Sequence, residues 1–454
     1  MGVGFRSVAS SIMLAWVAPL VAVGEQESPT AAPQLRALML ADQPADGSNG
    51  VDALGPLTLW VRQTIQAVAA EQSPPFDPER FRFAELGDPT EREDAVRMTF
   101  AVMERLISNG LDDRVGALAT SPRWVRDVAG AWTDETDGIS IATEARLVGR
   151  LNLTRMRLAA QRGEWDAWAR AFDDGLAIGA LIGRDFSMYA YLSGRFMYEA
   201  TLHEITRHRS VSATHALDAR VINAIDASIR THGFPDFRRV VEARRIVAHE
   251  NLRLIYEGGP EVVAWVAGER QGPKPASRPS VPPGPNHAAE KPTPTLRLDA
   301  NSIDRYFDDV QGRLGRTILF ARSAPRLIDR LYRSGLVHVS PSPADVAVTG
   351  SIHFQARVAS AAALVALERY RHDHGTYPEA ITDLVPNYLA DLVDPSTARA
   401  FGYLPPSSGP YPGARAFVLY SCGPDGIDDN GKVDFDLTLP LYRGERGDDV
   451  LLNW

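Results

Sequence analysis

Near its C-terminus the chain reads Asp425-Gly-Ile-Asp428-Asp429-Asn430-Gly-Lys-Val-Asp434-Phe-Asp436, a run dense in groups that could hold a cation. Ca²⁺ takes about six to eight oxygen ligands, and these carboxylates, an amide and free carbonyls could supply them. Without a cation, carboxylates this close repel one another. Asp425, Asp428, Asp429, Asp434 and Asp436 are therefore candidate ligands, and the cofactor they suit is Ca²⁺. Asp425, Asp428 and Asp434 come first, because spaced positions let side chains converge while neighbours point away. The spacing is not that of an EF-hand, since Asp436 replaces the closing Glu and Asn430 the central Gly. A solvated hairpin is the plainer alternative, because Asp, Asn and Gly are favoured in turns for purely local reasons.

Other groups able to do chemistry are scattered. His203-Glu204-Ile-Thr-Arg-His208 resembles a zinc-protease helix with its second His one residue late. At that spacing the rings point about 140° apart, whereas metal sharing needs the i, i+4 positions of one face. His249-Glu250 reads as a solvated face, as do the pairs Asp173-Asp174 and Asp308-Asp309. There is no phosphate-binding glycine loop, no G-x-S-x-G and no C-x-x-C. The reading is a non-enzymatic interaction or structural protein. An exported hydrolase is the alternative, since a site assembled from distant residues leaves no local trace.

A net charge of −9 argues against a nucleic-acid partner, which demands a basic face to displace counterions. It also argues against docking on anionic lipid by charge alone. At the N-terminus, Arg6 precedes the apolar run Val8–Val23, which ends in Ala22-Val23-Gly24. That is the pattern of an export signal over residues 1–24, cleaved after Gly24. The run is shorter than the ~20 residues a spanning helix needs, so an uncleaved anchor is the lesser alternative and the one route to a membrane. The location expected is periplasmic, cell-surface or extracellular, with an envelope protein as partner. Cys422 is the single cysteine, so no internal disulfide is possible. It sits in an apolar slot at a strand end and reads as a small buried hydrophobe.

Residues 25–50, rich in Pro, Ala, Gly, Asp and Gln, read as a flexible tether. Residues 51–265 carry helical periodicity, as in Val96, Phe100, Met103, Leu106 and Ile107, and in Trp165, Trp168, Phe172, Leu176 and Leu181. Amphipathic helices in series bury their stripes only against one another, which predicts a bundle or irregular solenoid. Leu151–Gly183 resembles a tetratricopeptide hairpin turning at Gly163. Trp168 stands where that repeat keeps a small residue, and no second copy follows. Eight prolines between residues 273 and 294 predict a solvated loop over 266–297. Helices of the same domain resume over 298–350, with Ile303, Phe307, Val310 and Leu314 on one face.

Residues 351–454 read as a separate small α+β domain. A helix carrying Phe354, Val358, Ala361 and Val365, flanked by Leu364 and Leu367, ends at Gly375. Pro378 opens a short helix with Ile381 and Leu384, Asp394-Pro395 turns, and Phe401–Leu404 and Ala416–Tyr420 are strands. The aliphatic helix face is expected to pack across that sheet. Tyr370 through Gly375 to Tyr377-Pro378, then Asp394-Pro395, Leu419-Tyr420-Ser421 and Gly423-Pro424-Asp425-Gly426, give residues 354–436 a resemblance to the globular domain of type II secretion pseudopilins, especially the major pseudopilin. The resemblance implies a long helix on a short antiparallel sheet and a calcium-binding loop after the Leu-Tyr-Ser strand. It stops at the N-terminus, where Ala9 follows Gly4-Phe5 in place of the family's Glu and a long helical region intervenes. The layout is similar to that of exported bacterial proteins carrying this module behind a helical region. The fold class expected for the whole chain is thus α+β, mostly helical.

Overall fold

A computed structural model of the chain describes residues 31–41, 43–72, 77–78, 81–84, 92–126, 133–211, 219–257, 300–314, 341–408, 416–422, 428, 430 and 450–451. Among these, helices dominate and two small antiparallel sheets lie at the C-terminal end, an α+β layout. The expected signal segment 1–24 and the whole of the expected loop 266–297 lie outside the described residues. No described helix is long and apolar enough to cross a membrane.

The helical body runs through α1 (Ala31–Leu40), α2 (Gly50–Glu71), α3 (Glu93–Ser108), α4 (Leu111–Ala119), α5 (Thr133–Arg162), α6 (Trp165–Gly183), α7 (Met188–Val211), α8 (Ala219–Thr231), α9 (Arg238–Glu257) and α10 (Ala300–Arg313). The amphipathic stripes meet as the periodicity demands. Met103 and Leu106 of α3 join Leu57, Val61 and Ile65 of α2 in one core. Phe172 and Leu176 of α6 join Tyr198 and Leu202 of α7 and Ile222 and Ile225 of α8 in a second. Ile303, Phe307, Val310 and Leu314 all turn inward onto Val240 and Val241 of α9.

The hairpin at Gly163 forms as expected, with that residue in the left-handed region at φ +70°. Trp168 is buried and stacks on Phe172 at 5.4 Å between ring centroids. Helices α6 and α7 approach until their backbones touch. A Cβ added at Gly194 would stand 2.6 Å from the carbonyl oxygen of Gly179 and 2.6 Å from the amide nitrogen of Gly183. Backbone on both sides leaves nothing flexible to give way.

Residues 25–50 differ from the tether expected. Over its described part this stretch holds α1, whose Leu35 and Met39 are buried against Phe186 and against Ala243 and Val247 of α9. The side-chain amide of Gln43 donates to the carbonyls of Met39 and Trp124, at 2.7 and 2.8 Å. Asn49 exchanges two hydrogen bonds with the backbone of Val125, at 2.6 and 2.9 Å. Arg239 donates to the carbonyl of Leu38 at 2.7 Å, closing the C-terminal end of α1. Composition missed this because a strap with two apolar anchors and side-chain amides on backbone needs little hydrophobic residue content.

The strap lies over a buried charge. Asp185, in the α6–α7 turn, accepts hydrogen bonds from Trp124 Nε1 at 2.9 Å, the Arg126 guanidinium at 3.1 Å and the amide of Ser187 at 2.8 Å. Both charged side chains are almost wholly out of solvent. The Arg126 guanidinium also lies 4.6 Å over the Phe186 ring.

The boundary expected at 350/351 falls inside a single helix, α11 (Pro341–His374). Phe354, Ala361 and Val365 pack into the α6–α7–α8 core, whereas Ala363, Leu364, Ala366 and Leu367 lie under the small sheet. The face expected to cover the sheet thus faces the helical body, and the flanking residues cover the sheet. A helix apolar on both sides is buried on both sides. Ion pairs from Arg357 to Glu199 and from Arg369 to Asp226 fasten it to α7 and α8.

Beyond α11, Gly375 adopts φ +78° and its amide bonds to the carbonyl of Arg371, ending the helix where expected. A 3-10 turn over Ile381–Leu384 takes the place of the short helix expected from Pro378. Strands β1 (Val393–Asp394) and β2 (Arg399–Ala400) form a hairpin; β3 (Gly402–Leu404), β4 (Val418–Ser421) and β5 (Val450–Leu451) form a sheet in that order. Gly402 stands opposite Tyr420, whose ring crosses it so closely that a Cβ would fall 2.2 Å from ring atoms.

Replacing Gly194 by Ala should therefore destabilise the fold by about 2–3 kcal/mol, the upper range for forcing atoms into a packed interior. Gly116, within α4 and with nothing within 4 Å of its added Cβ, is the control. There Ala should stabilise by about 0.5–1 kcal/mol through helix propensity. Urea unfolding of both variants checks the contrast.

Candidate functional site

The Asp-Pro turn and the Leu-Tyr-Ser strand at the C-terminal end converge on one buried carboxylate. Asp394 accepts from the amide of Ser396 at 2.8 Å, the Ser396 hydroxyl at 2.7 Å and the Thr397 hydroxyl at 3.0 Å. Ser421, at the end of the Leu-Tyr-Ser strand, donates to Oδ2, the oxygen that Thr397 also reaches. The carbonyl of Asp394 closes the turn by accepting from Thr397 and Ala398. A buried carboxylate is tolerated when its lone pairs are met by donors, and this one is. The Asp-Pro turn and the Leu-Tyr-Ser strand, separated in sequence, thus meet through one side chain.

The same strand sets the mouth of the acidic loop. Tyr420 is buried over Gly402, and its hydroxyl donates to Asp428 Oδ1 at 2.9 Å. The amide of Asn430 donates to the same oxygen at 2.8 Å, with Asn430 in the left-handed region at φ +59°. Asp428 is exposed, and among the described residues its Oδ2 receives no hydrogen bond. One oxygen is held on an exposed side chain, a carboxylate that suits a hard cation or water. Asp425, Asp429, Asp434 and Asp436 lie outside the described residues, so of the five expected ligands only Asp428 has a described position. Among the described residues no three His, Cys, Asp or Glu side chains cluster as metal ligands do. Cys422, next along from Ser421, is buried as expected of a small hydrophobe.

In the helical body the sequence passed over a second constellation. Asp173 of α6 receives the Ser228 hydroxyl at 2.7 Å and lies 2.9 Å from His232 Nε2, all on its Oδ1. The members are those of a hydrolase triad in a different order. In a triad the imidazole stands between hydroxyl and carboxylate and takes the hydroxyl proton. Here the carboxylate stands between them, so the serine proton points at Asp173. The cluster staples the C-terminal end of α8 to α6. Its signal, Ser228 and His232 at i, i+4, is legible only once α8 is known to lie beside α6.

The remaining charged groups are likewise engaged. Glu204, within the zinc-protease-like string, is buried and takes both Nε and Nη2 of Arg157, at 2.9 and 2.6 Å. His249 departs from the solvated face expected: it is half-buried, with Nε2 at 2.8 Å from Asp304 of α10. Asp174 pairs with Arg155, which also reaches Asp112. Asp308 pairs with Arg245.

No protein-family model, curated protein or solved structure matches this chain.

The hydrogen bond from His232, with that from Ser228, holds the Asp173 carboxyl below its ordinary value despite partial burial. A carboxylate depressed on folding adds stability above its unfolded pKa, and that stability disappears as pH falls through the folded value. The advantage of the native protein over Asp173→Asn should thus be full at pH 6 and vanish on acidification from about pH 4 towards pH 2. Thermal melting of both proteins across that range checks it. A gap that persists undiminished at the acid end would show that Asp173 acts by packing alone.

Proposed function

We propose that this is an exported, non-enzymatic protein of the cell envelope whose pseudopilin-like C-terminal module is stabilised by calcium and whose surface docks an envelope protein. The observation that supports it is the meeting of the module's separated signature residues: Asp394 with Ser421, and Tyr420 with Asp428. Asp394, Tyr420 and Ser421 are among the residues on which the family resemblance rests, Asp428 lies in the loop that follows them, and together they organise one turn, one strand and one loop mouth. The N-terminal run Val8–Val23 supports export. The hydrolase alternative would draw on Asp173, Ser228 and His232, and the central position of the carboxylate works against it.

The oxygen-only donor set of the acidic loop, with the bare Oδ2 of Asp428, fits Ca²⁺ better than a softer metal. Asp425, Asp428, Asp429, Asp434 and Asp436 would hold it. The cation would neutralise their mutual repulsion and tie the loop to the sheet through Tyr420.

Affinity capture with the mature, tagged chain from envelope extract tests the docking. It should recover a stoichiometric envelope partner, and N-terminal sequencing of the native protein should begin at or near Glu25. An intact Met1 in the cytoplasmic fraction would overturn the reading.

Calcium is tested on the full mature chain. A ligand selective for the folded state stabilises by RT ln(1 + [L]/Kd), about 2.7 kcal/mol at a hundredfold excess. Extracellular calcium modules bind at about 10⁻⁴–10⁻³ M, so about 10 mM Ca²⁺ should raise the melting temperature and a chelator should reverse the rise. The double variant Asp428→Ala/Asp434→Ala should lose that response. A full response in the double variant would remove the loop from consideration.

A further inference from the structure

One face in the helical body is open where its neighbours are closed. Gly55, Thr58, Leu59 and Arg62 share a face of α2, and Ser140, Thr143 and Glu144 share a face of α5. Between them lies a groove of about 350 Å³, within the size range of small-ligand sites. Elsewhere these two helices contribute to one apolar core, through Leu57 and Val61 from α2 and Ala145 and Val148 from α5. Here, apart from the exposed Leu59, the lining side chains are small, polar or charged.

Three features of the groove are independent of one another. Thr58, 2% exposed, lines it, its hydroxyl donating to the carbonyl of Gly55 at 3.0 Å. Leu59, at 57% exposure, is the most exposed of the large apolar side chains described, and a Cβ added at Gly55 would meet open space. Arg62 and Glu144 feel each other's charge, yet among the described residues neither makes a hydrogen bond or ion-pair contact. Other arginines and carboxylates of this body close into short pairs, such as Arg157 with Glu204 and Arg155 with Asp174. Burial pushes the Glu144 carboxyl up, and Arg62 offsets that only in part. A cation beside Glu144 would draw its carboxyl back down.

We propose that this groove binds a small zwitterion with an aliphatic body, a free α-amino acid, with its carboxylate on Arg62, its ammonium on Glu144 and its side chain against Leu59. Opposite charges that do not close on each other, with an exposed leucine lining the same groove, match the neighbouring carboxylate and ammonium and the hydrocarbon side chain of such a molecule, and one ligand completes both half-pairs. This goes beyond docking of an envelope protein and does not depend on it, since the groove belongs to the helical body wherever the chain resides.

The test is calorimetric titration of free L-leucine into the full-length mature protein, alongside N-acetyl-leucine amide, which has the same side chain and neither charge. Leucine should bind saturably and the capped compound should not. Arg62→Gln and Glu144→Gln should each weaken binding by at least about tenfold, the scale of one lost charged hydrogen bond. Gly55→Leu places a side chain in the open space, so it should abolish binding while circular dichroism and melting stay native. Absence of saturable leucine binding, equal binding of the capped compound, or unchanged affinity in both charge variants would each overturn the proposal. Loss of leucine binding leaves calcium response and partner capture untouched, so the two readings fail separately.

Discussion

The buried pair of Arg126 and Asp185 is the constraint around which the helical body assembles. Two charges out of water are costly, and they persist only when hydrogen bonds and attraction compensate. Here Trp124 and Ser187 complete the carboxylate's donors, and Phe186 offers its ring face to the guanidinium. Those partners come from the α4–α5 connection and the α6–α7 turn, and the strap of residues 31–50 closes over them. Such a pair admits few arrangements, because any displacement leaves a charge without partners. It therefore fixes how the first four helices meet the hairpin that follows.

At the other end the constraint is shape rather than charge. The glycines of α6 and α7 let two backbones touch, which brings Phe172 and Tyr198 into one core and forms the surface that receives Phe354 and Val365 of α11. The C-terminal sheet then rests on the opposite side of α11, on Leu364 and Leu367. Packing passes from body to module through a single element, with ion pairs to Glu199 and Asp226 along its flank.

How much was legible in the sequence follows from the range of each interaction. Local periodicity located α3, α6 and α10, and Gly163 and Gly375 marked where chains turn, because those are properties of neighbouring residues. The sided assignment of α11 was not legible: a helix apolar on two faces does not say which neighbour each face meets. The strap was missed for a related reason, since Gln43 and Asn49 look like loop residues until Trp124 and Val125 are placed beside them. Among the candidate ligands, Asp428 could be named from composition, but its fixed Oδ1 depends on Tyr420 and Asn430 together. Asp173, Ser228 and His232 show the reverse case: a familiar set of residue types whose spatial order, unreadable from sequence, decides what protons can do.

Helix α11 has a consequence for how this chain behaves as separable parts. Its 34 residues form a rod of roughly 50 Å at the usual rise, with one side in each core. A cut at the point where composition changes would strip Phe354, Ala361 and Val365 of their partners and leave a greasy flank on the excised piece. Body and module would therefore melt as one unit, and a load applied to the sheet would be felt among the helices. Inheritance is bound by the same geometry. Were this module to be transplanted between proteins, the recipient would have to supply a matching helical cradle, so exchange would proceed by whole assemblies and not by the tidy segments that the sequence suggests.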